Sequence, residues 1–141
     1  MNAATLTNPA VFVPGRGAVR AGWALSVLVI LFMLMDGIMK LSNLPIVAET
    51  QAGLGWPADF GTTALLATLL LGATLLYAIP RTAMLGAILL TAYLGGAVAT
   101  HVRVGSPLFS HVLFGVYLGI FVWGGLWFRD PRLRALLPLR A

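Results

Sequence analysis

The residues best suited to chemistry in this chain are a few ionisable side chains within long apolar segments. Asp36 and Lys40 stand four residues apart, so on a helix they share one face and can form an ion pair. His101 can exchange protons near neutral pH, and Arg103 close to it carries a fixed positive charge. A histidine near a lysine and an arginine suits an anion, a carbonyl group or a quinone head group.

Other chemistries find less support in the residue types. His101 and His111 lack the tight spacing of metal ligands, and the nearby cations would repel a metal ion, so no metal site is predicted. The chain has no cysteine, which excludes thiol chemistry. It contains no Ser–His–Asp order, phosphate loop or nucleotide fingerprint. Catalytic residues and the cofactor stay unassigned, with a quinone as one candidate cofactor.

The composition excludes a soluble domain. Of the 141 residues, 60% are hydrophobic and 9% are charged, whereas soluble domains average about 45–50% apolar and about 25% charged residues. A disordered chain needs the opposite composition. The formal net charge is +5 from nine basic residues, and we interpret these residues as determinants of membrane orientation rather than as a nucleic-acid surface.

Four apolar stretches have the length of about 20 residues that a transmembrane helix needs. They cover residues 23–41, 60–79, 82–101 and 108–128. Short turns join the last three, so the sequence predicts an all-α integral membrane protein, an antiparallel four-transmembrane-helix bundle. This single domain covers residues 21–128, between an N-terminal lead (1–20) and a basic tail (129–141). The longest connection has room for a short interfacial helix near residues 46–52.

Positive charge predicts the orientation of the bundle. Seven arginines fall on one side of the four spans: Arg16, Arg20, Arg81, Arg129, Arg132, Arg134 and Arg140. Only Lys40 and Arg103 fall on the other side. Because Lys and Arg concentrate in cytoplasmic segments, both termini are predicted to be cytoplasmic, in a multi-pass protein of the bacterial inner (plasma) membrane.

This orientation brings polar residues together at the outer end of the bundle. They are Asp36, Lys40, Glu49, Gln51, His101, Arg103, Ser106 and His111. Each has a plainer role, such as capping a helix or reaching the lipid head groups. As a group, however, so many polar side chains at one depth must satisfy one another, which predicts an outward-facing polar pocket.

Small residues indicate how the helices pack, because close backbone approach drives helix association in lipid. The second span carries Gly61, Ala64, Thr68 and Gly72, and the third carries Ala92, Gly95, Gly96 and Ala99. The fourth span contains a G-x-x-x-G pattern, Gly115 to Gly119, followed by Gly124 and Gly125. Packing within the bundle is the favoured use of these stripes. The alternative is a face for a homodimer or for another membrane protein.

Four segments of the chain form a recognisable pattern: RTAMLGAILLTAYLGGAVATHVR (81–103), GSPLF (105–109), VYLGIFVWGGLWFRDPRLR (116–134) and DGIMKL (36–41). Together they resemble the DoxX-like family of small bacterial membrane proteins. The resemblance implies a four-helix membrane bundle. The wider group takes its name from a membrane subunit linked to thiosulfate oxidation with quinone as acceptor, and other members are associated with redox-stress complexes. The polar positions that match are Lys40, Tyr93, His101 and Arg103.

The sequence therefore predicts a membrane protein whose pocket binds a small or lipid-soluble ligand, most concretely in a quinone-linked redox role. Lys40 and Arg103 are expected to bind negatively charged groups of the ligand, and His101 is expected to exchange a proton with it. The ligand-binding set is Asp36, Lys40, Tyr93, His101, Arg103 and His111. Whether the protein is an enzyme is left open. If it is, the sequence favours a subunit of a membrane oxidoreductase. The alternative is a non-enzymatic accessory or assembly subunit for other membrane proteins.

Overall fold

The regular structure of the chain is helical wherever the structure, a computed structural model, describes it, which is residues 14–136. The helices are α1 (Arg16–Leu41), α2 (Pro45–Gly53), α3 (Phe60–Ala78), α4 (Ala83–Arg103), α5 (Phe114–Arg129) and α6 (Pro131–Leu136). One π-helical turn, Leu108–Val112, leads into α5. The first part of the predicted lead and the end of the predicted tail, with Arg140, lie outside the described residues.

Four segments are long and apolar enough to cross a membrane, as the hydropathy pattern predicts: α1, α3, α4, and α5 together with its π-helical turn. Two of them extend beyond their predicted spans. α1 begins at Arg16 rather than at Trp23, and α4 continues to Arg103 rather than ending at His101. Hydropathy marks only the apolar part of a helix, whereas the backbone hydrogen bonds continue into its charged ends.

The four long helices form a bundle in which α1 and α4 each pack against both α3 and α5. Its core consists of large apolar side chains, among them Met33, Leu70, Tyr77, Leu90 and Leu126. Large apolar side chains also cover the outside: Leu31, Leu65 and Ile120 are each about 60% exposed. An apolar exterior of this kind fits a lipid environment rather than water.

Glycines lie at the closest contacts between helices. Only some of the glycines predicted to pack are at such contacts. A Cβ added at Gly22 of α1 would lie 2.8 Å from the Gly125 carbonyl oxygen of α5, and one at Gly86 would lie 2.1 Å from the Tyr77 backbone nitrogen. Gly115 meets Leu94 and Val98 of α4. By contrast, Gly72 is exposed, and an added Cβ would meet nothing within 4 Å.

The predicted small-residue stripe of the second span is therefore not its packing face. The buried residues of α3 follow a different line, with spacings of four and three residues: Thr63, Ala67, Leu70, Thr74 and Tyr77. This spacing matches the helical period and buries larger side chains in the bundle. The small residues at Gly61, Thr68 and Gly72 are left exposed.

A buried hydrogen-bonded group ties three of the long helices together. The Tyr77 hydroxyl of α3 donates to the Val122 carbonyl oxygen of α5 at 2.8 Å. Because that bond uses the only hydroxyl proton of Tyr77, the Ser26 hydroxyl of α1 donates to it in turn, at 3.0 Å. Polar groups without access to water are costly unless paired, so this group fixes the relative positions of α1, α3 and α5.

The connection between α1 and α3 contains the predicted short helix. α2 begins at Pro45, a residue preorganised for the first helical position, and ends at Gly53. Asp59 caps α3: its carboxylate accepts hydrogen bonds from the backbone N–H and the hydroxyl of Thr62, both at 2.8 Å. These bonds, the backbone bond foremost, lower the pKa of Asp59.

Candidate functional site

One end of the bundle contains a cavity of about 420 Å³ between α1, α3, α4 and α5, beneath α2. Most of its wall is apolar, for example Phe32, Leu66 and Leu118. Polar side chains also line it: Asp36, Lys40, Thr50, Gln51, Tyr93, Thr100, His101 and His111. Ligand cavities typically have volumes of about 300–1,000 Å³ and a few polar groups that orient the ligand.

Asp36 and Lys40 lie on consecutive turns at the end of α1 and form the predicted ion pair, with Lys40 Nζ 2.5 Å from Asp36 Oδ2. Both side chains are partly buried. The carboxylate holds the ammonium group at the cavity wall and partly offsets its charge. Lys40 has three N–H donors in total, so the pair leaves donors for a further acceptor.

The two histidines approach each other across the cavity wall. Their ring centroids lie 5.6 Å apart, edge to face. Nδ1 of His101 lies 2.9 Å from the Ser106 hydroxyl, and Nδ1 of His111 lies 2.8 Å from the Ser110 hydroxyl. Each serine orients its ring, and Nε2 of neither ring has a hydrogen-bond partner among the described residues.

The π-helical turn contributes to this arrangement. His111 lies in Leu108–Val112, where the backbone N–H of Val112 donates to the Pro107 carbonyl oxygen and that of Leu113 to the Leu108 carbonyl oxygen. These wide turns differ from the spacing of an α-helix and are frequent at functional sites. Nothing in the sequence pattern distinguishes this turn from the start of an ordinary apolar span.

Tyr93 of α4 also lies on the cavity wall, half-buried, and its environment includes the charge of Asp36. Its hydroxyl makes no hydrogen bond within the part of the chain that the structure describes. A phenol can both donate and accept, so Tyr93 offers the cavity a neutral polar group beside the Asp36–Lys40 pair.

Gln51 is the cavity residue whose surroundings are most unusual. It lies on α2, is 5% exposed and lines the cavity. Its side-chain Nε2 is buried and has no hydrogen-bond partner among residues 14–136, although buried donors are nearly always paired. The sequence placed Gln51 in the polar cluster but not among the predicted ligand-binding residues. A neutral side chain does not stand out in a search for charged groups within apolar segments.

Arg103 is the predicted site residue that does not line the cavity. Its Nη2 donates to the Leu54 carbonyl oxygen at 2.7 Å. Gly55, which follows, has a φ of +73° and leaves room for the guanidinium group, since an added Cβ would lie 2.8 Å from Nη2. Arg103 thereby fastens the end of α2, which brings Gln51, Leu54 and Trp56 to the cavity.

The remaining members of the predicted cluster have different positions. Ser106 bonds His101 without lining the cavity, and Glu49 is exposed on α2. Within the described residues, no group of three or more His, Cys, Asp and Glu side chains could hold a metal ion. The structure thus brings together five of the six predicted ligand-binding residues: Asp36, Lys40, Tyr93, His101 and His111.

A bundle of four helices long and apolar enough to cross a membrane defines a multi-pass helical membrane protein. The sequence profile of the DoxX-like family matches residues 24–125. The chain belongs to the DoxX-like family, which confirms the resemblance carried by the predicted spans. No curated protein and no solved structure matches the chain significantly.

Proposed function

We propose that the cavity binds a small, lipid-soluble ligand with hydrogen-bond acceptors, and that this ligand is a quinone. The observation that carries this proposal is Gln51, a buried side-chain donor at the cavity with no partner. A buried donor left unpaired costs free energy, and a ligand carbonyl oxygen would remove that cost. The ligand's apolar body would fit against the mainly apolar wall.

The polar residues of the cavity take different roles in this proposal. Lys40 and Gln51 donate hydrogen bonds to the carbonyl oxygens, and Asp36 orients Lys40. His101 and His111 exchange protons with the ligand through Nε2. The sequence predicted that Arg103 binds a negatively charged group directly. In this proposal it acts through α2 instead, because its hydrogen bond to the Leu54 carbonyl oxygen holds the segment that contains Gln51.

Small residues on α4 leave space for the body of a ligand. Ala92 and Gly96 line the cavity and are exposed. A Cβ added at Gly96 would meet nothing within 4 Å among the described residues. This part of the cavity therefore has room for the apolar part of a ligand.

In a redox role, the protein is the quinone-binding subunit of a membrane oxidoreductase. Reduction of a quinone to a quinol takes two electrons and two protons. We assign the electrons to a redox-active partner protein and the protons to the histidine pair. In this proposal, the cavity side chains bind the quinone and transfer protons, and none of them acts as the electron donor.

The same proposal includes the topology of the chain. The contact of Gly22 with Gly125 joins the start of α1 to the end of α5, and Gly86 meets Tyr77 across the α3–α4 turn. These contacts support antiparallel neighbours, with both described ends of the chain at one side of the membrane. Together with the arginine distribution, they support cytoplasmic termini and an outward-facing cavity in the inner membrane.

The alternative role, an accessory or assembly subunit, drew on the G-x-x-x-G face of the fourth span. Gly115 is buried against Leu94 and Val98 of the same chain. Half of that motif is thus used within the bundle, which leaves the accessory role with less support than ligand binding.

The test is a titration of the detergent-solubilised chain with ubiquinone-1, followed by quenching of tryptophan fluorescence, because Trp56 lines the cavity. We expect saturable binding that becomes at least about tenfold weaker in Lys40→Met, since a hydrogen bond to a charged group contributes about 1.5–3 kcal/mol. The double variant Asp36→Asn with Lys40→Met avoids an unpaired carboxylate and should lose the same affinity. Arg20→Met removes an exposed charge outside the cavity and serves as the matched control.

A steric pair of variants tests the location independently of charge. Gly96→Leu places a side chain at the cavity wall, whereas Gly95→Leu places it on the neighbouring exposed position that does not line the cavity. We expect only Gly96→Leu to weaken binding. Unchanged affinity in folded Lys40→Met and Gly96→Leu would refute the assignment of the cavity.

A further inference from the structure

A second cavity lies at the opposite end of the bundle and has a different chemical character. Its volume is about 320 Å³. It lies where the start of α1, the α3–α4 turn and the α5–α6 junction meet, and its walls include Trp23, Arg81, Arg129, Asp130 and Arg132. We call it the arginine pocket. Asp36 and Lys40 are at the other end of α1, so the two cavities are separate sites.

The arginine pocket has an excess of positive charge. Three guanidinium groups and one carboxylate line it, which leaves a formal charge of +2 (three minus one). No ion pair within 4 Å joins Asp130 to any of these arginines in the part of the chain that the structure describes. Asp130 instead accepts a hydrogen bond from the backbone N–H of Arg132 at 2.9 Å.

Arg129 has no anionic partner within the described residues. Its guanidinium carbon lies 4.4 Å from the Trp23 ring centroid and 4.9 Å from that of Tyr77. One Nη2–H donates to the Tyr77 carbonyl oxygen at 3.1 Å, and Nε is buried with no hydrogen-bond partner in residues 14–136. Aromatic faces and one carbonyl oxygen fix the position of this cation, but they leave its full charge uncompensated.

The other two arginines are free to turn toward a ligand. Arg81 in the α3–α4 turn and Arg132 on α6 are exposed, and within the described residues their side chains make no hydrogen bond or ion pair. One preorganised and two mobile guanidinium groups around a common space suit an anion with several oxygens. Guanidinium groups match phosphate oxygens in particular, because their planar N–H forks bind two oxygens at once.

The position of the pocket identifies the source of the phosphate. It opens where four long helices begin or end, and Trp23 at its wall is a residue type enriched at membrane–water interfaces. Lipid head groups lie at this depth, and basic pockets between transmembrane helices bind anionic lipids. We propose that the arginine pocket binds the phosphate group of an anionic phospholipid, at a site separate from the ligand cavity.

Native mass spectrometry of the detergent-solubilised full chain, titrated with phosphatidylglycerol, tests this proposal. Phosphatidylcholine with the same acyl chains is the matched lipid, because its choline cancels the phosphate charge. We expect one phosphatidylglycerol per chain, bound at least about tenfold more tightly than phosphatidylcholine. In the double variant Arg81→Gln with Arg132→Gln, phosphatidylglycerol should bind at least about tenfold more weakly than to the unaltered chain. Both residues are exposed, so these changes leave the packing of the bundle intact.

The control double variant is Arg16→Gln with Arg20→Gln, which removes the same charge from exposed positions outside the pocket. It should keep its affinity. A third titration, with 10 mM inorganic phosphate present, separates the two phosphate sources. Displacement of the lipid means that the phosphate group alone suffices, and persistence of the complex means that the whole lipid is required. Equal binding of both lipids, or equal losses in both double variants, would overturn the proposal.

Discussion

At the scale of single residues, Gln51 and Arg103 show where charge is an incomplete guide to a site. The sequence singled out Arg103 because it is charged, and the structure uses it to hold α2 through the Leu54 carbonyl oxygen. Gln51 is neutral and lies on the short helix α2, yet it has the donor that is unpaired within the described residues. Only the fold of the α1–α3 connection decides which of the two lines the cavity.

Replacement of Gln51 by methionine separates a binding role from a structural one. Gln51→Met keeps the volume but removes the unpaired donor. We expect ubiquinone-1 affinity to fall by about two- to tenfold, the value of one hydrogen bond of about 0.5–1.5 kcal/mol. The unfolding temperature without ligand should stay the same or rise, because a buried unpaired donor has been removed.

The matched control for Gln51→Met is Glu49→Met, on the same helix but exposed and outside the cavity wall. It should leave affinity unchanged. A lower unfolding temperature together with unchanged affinity in Gln51→Met would assign Gln51 a structural role and contradict its role as a ligand donor.

At the scale of the helices, the sequence predicted which segments form spans but only some of the faces that pack. Apolar length alone determined the four spans, because twenty apolar residues have few other stable environments than a bilayer. Packing faces depend on how neighbouring surfaces fit. Gly125 of the fourth span was expected at an interface and makes a close contact. By contrast, Gly72 and Gly95 were expected there and are exposed. Gly22 and Gly86 make close contacts that were not predicted.

Two glycines of α4 provide a direct comparison of buried and exposed positions. Gly86→Ala places a Cβ within 2.5 Å of the Tyr77 backbone, which cannot move without shifting α3. We expect a loss of about 1–3 kcal/mol in the free energy of unfolding, the usual cost of overpacking. Gly95→Ala meets open space and should be neutral or stabilising, because alanine favours the helix by about 1 kcal/mol.

Unfolding of both variants in mild detergent, followed by circular dichroism against denaturant concentration, measures this difference. Equal free energies of unfolding for Gly86→Ala and Gly95→Ala would contradict the close contact of Gly86 with the Tyr77 backbone.

At the scale of the whole molecule, the bundle has two polar ends with different chemistry. One end holds the cavity with the Asp36–Lys40 pair and two histidines, and the other holds the arginine pocket. The charge pattern of the sequence predicted polar residues at the first end, since they interrupt apolar spans. It assigned the arginines at the second end to orientation and to anchoring at anionic lipid head groups, but not to a pocket. Their convergence around Trp23 requires the α3–α4 turn and the α5–α6 junction to meet.

The proposed topology is testable by cysteine labelling, which is simple here because the chain has no cysteine of its own. Ala52→Cys lies on α2 near the ligand cavity, and Gly15→Cys lies just before α1. Both positions are exposed. In cells with a permeabilised outer envelope, a membrane-impermeant maleimide should label Ala52→Cys, and it should label Gly15→Cys only after the inner membrane is broken. The reverse pattern would invert the orientation of the cavity.

The most direct measurement is native mass spectrometry, with an absorbance spectrum, on the chain gently extracted from its own membrane. The account predicts one bound quinone per chain, visible both as a mass increment and as quinone absorbance, and its loss in Lys40→Met. Either of two results would contradict ligand binding at the cavity: the same quinone retained at full stoichiometry in Lys40→Met and Gln51→Met, or a chain with no small-molecule adduct that also fails to take up added ubiquinone-1.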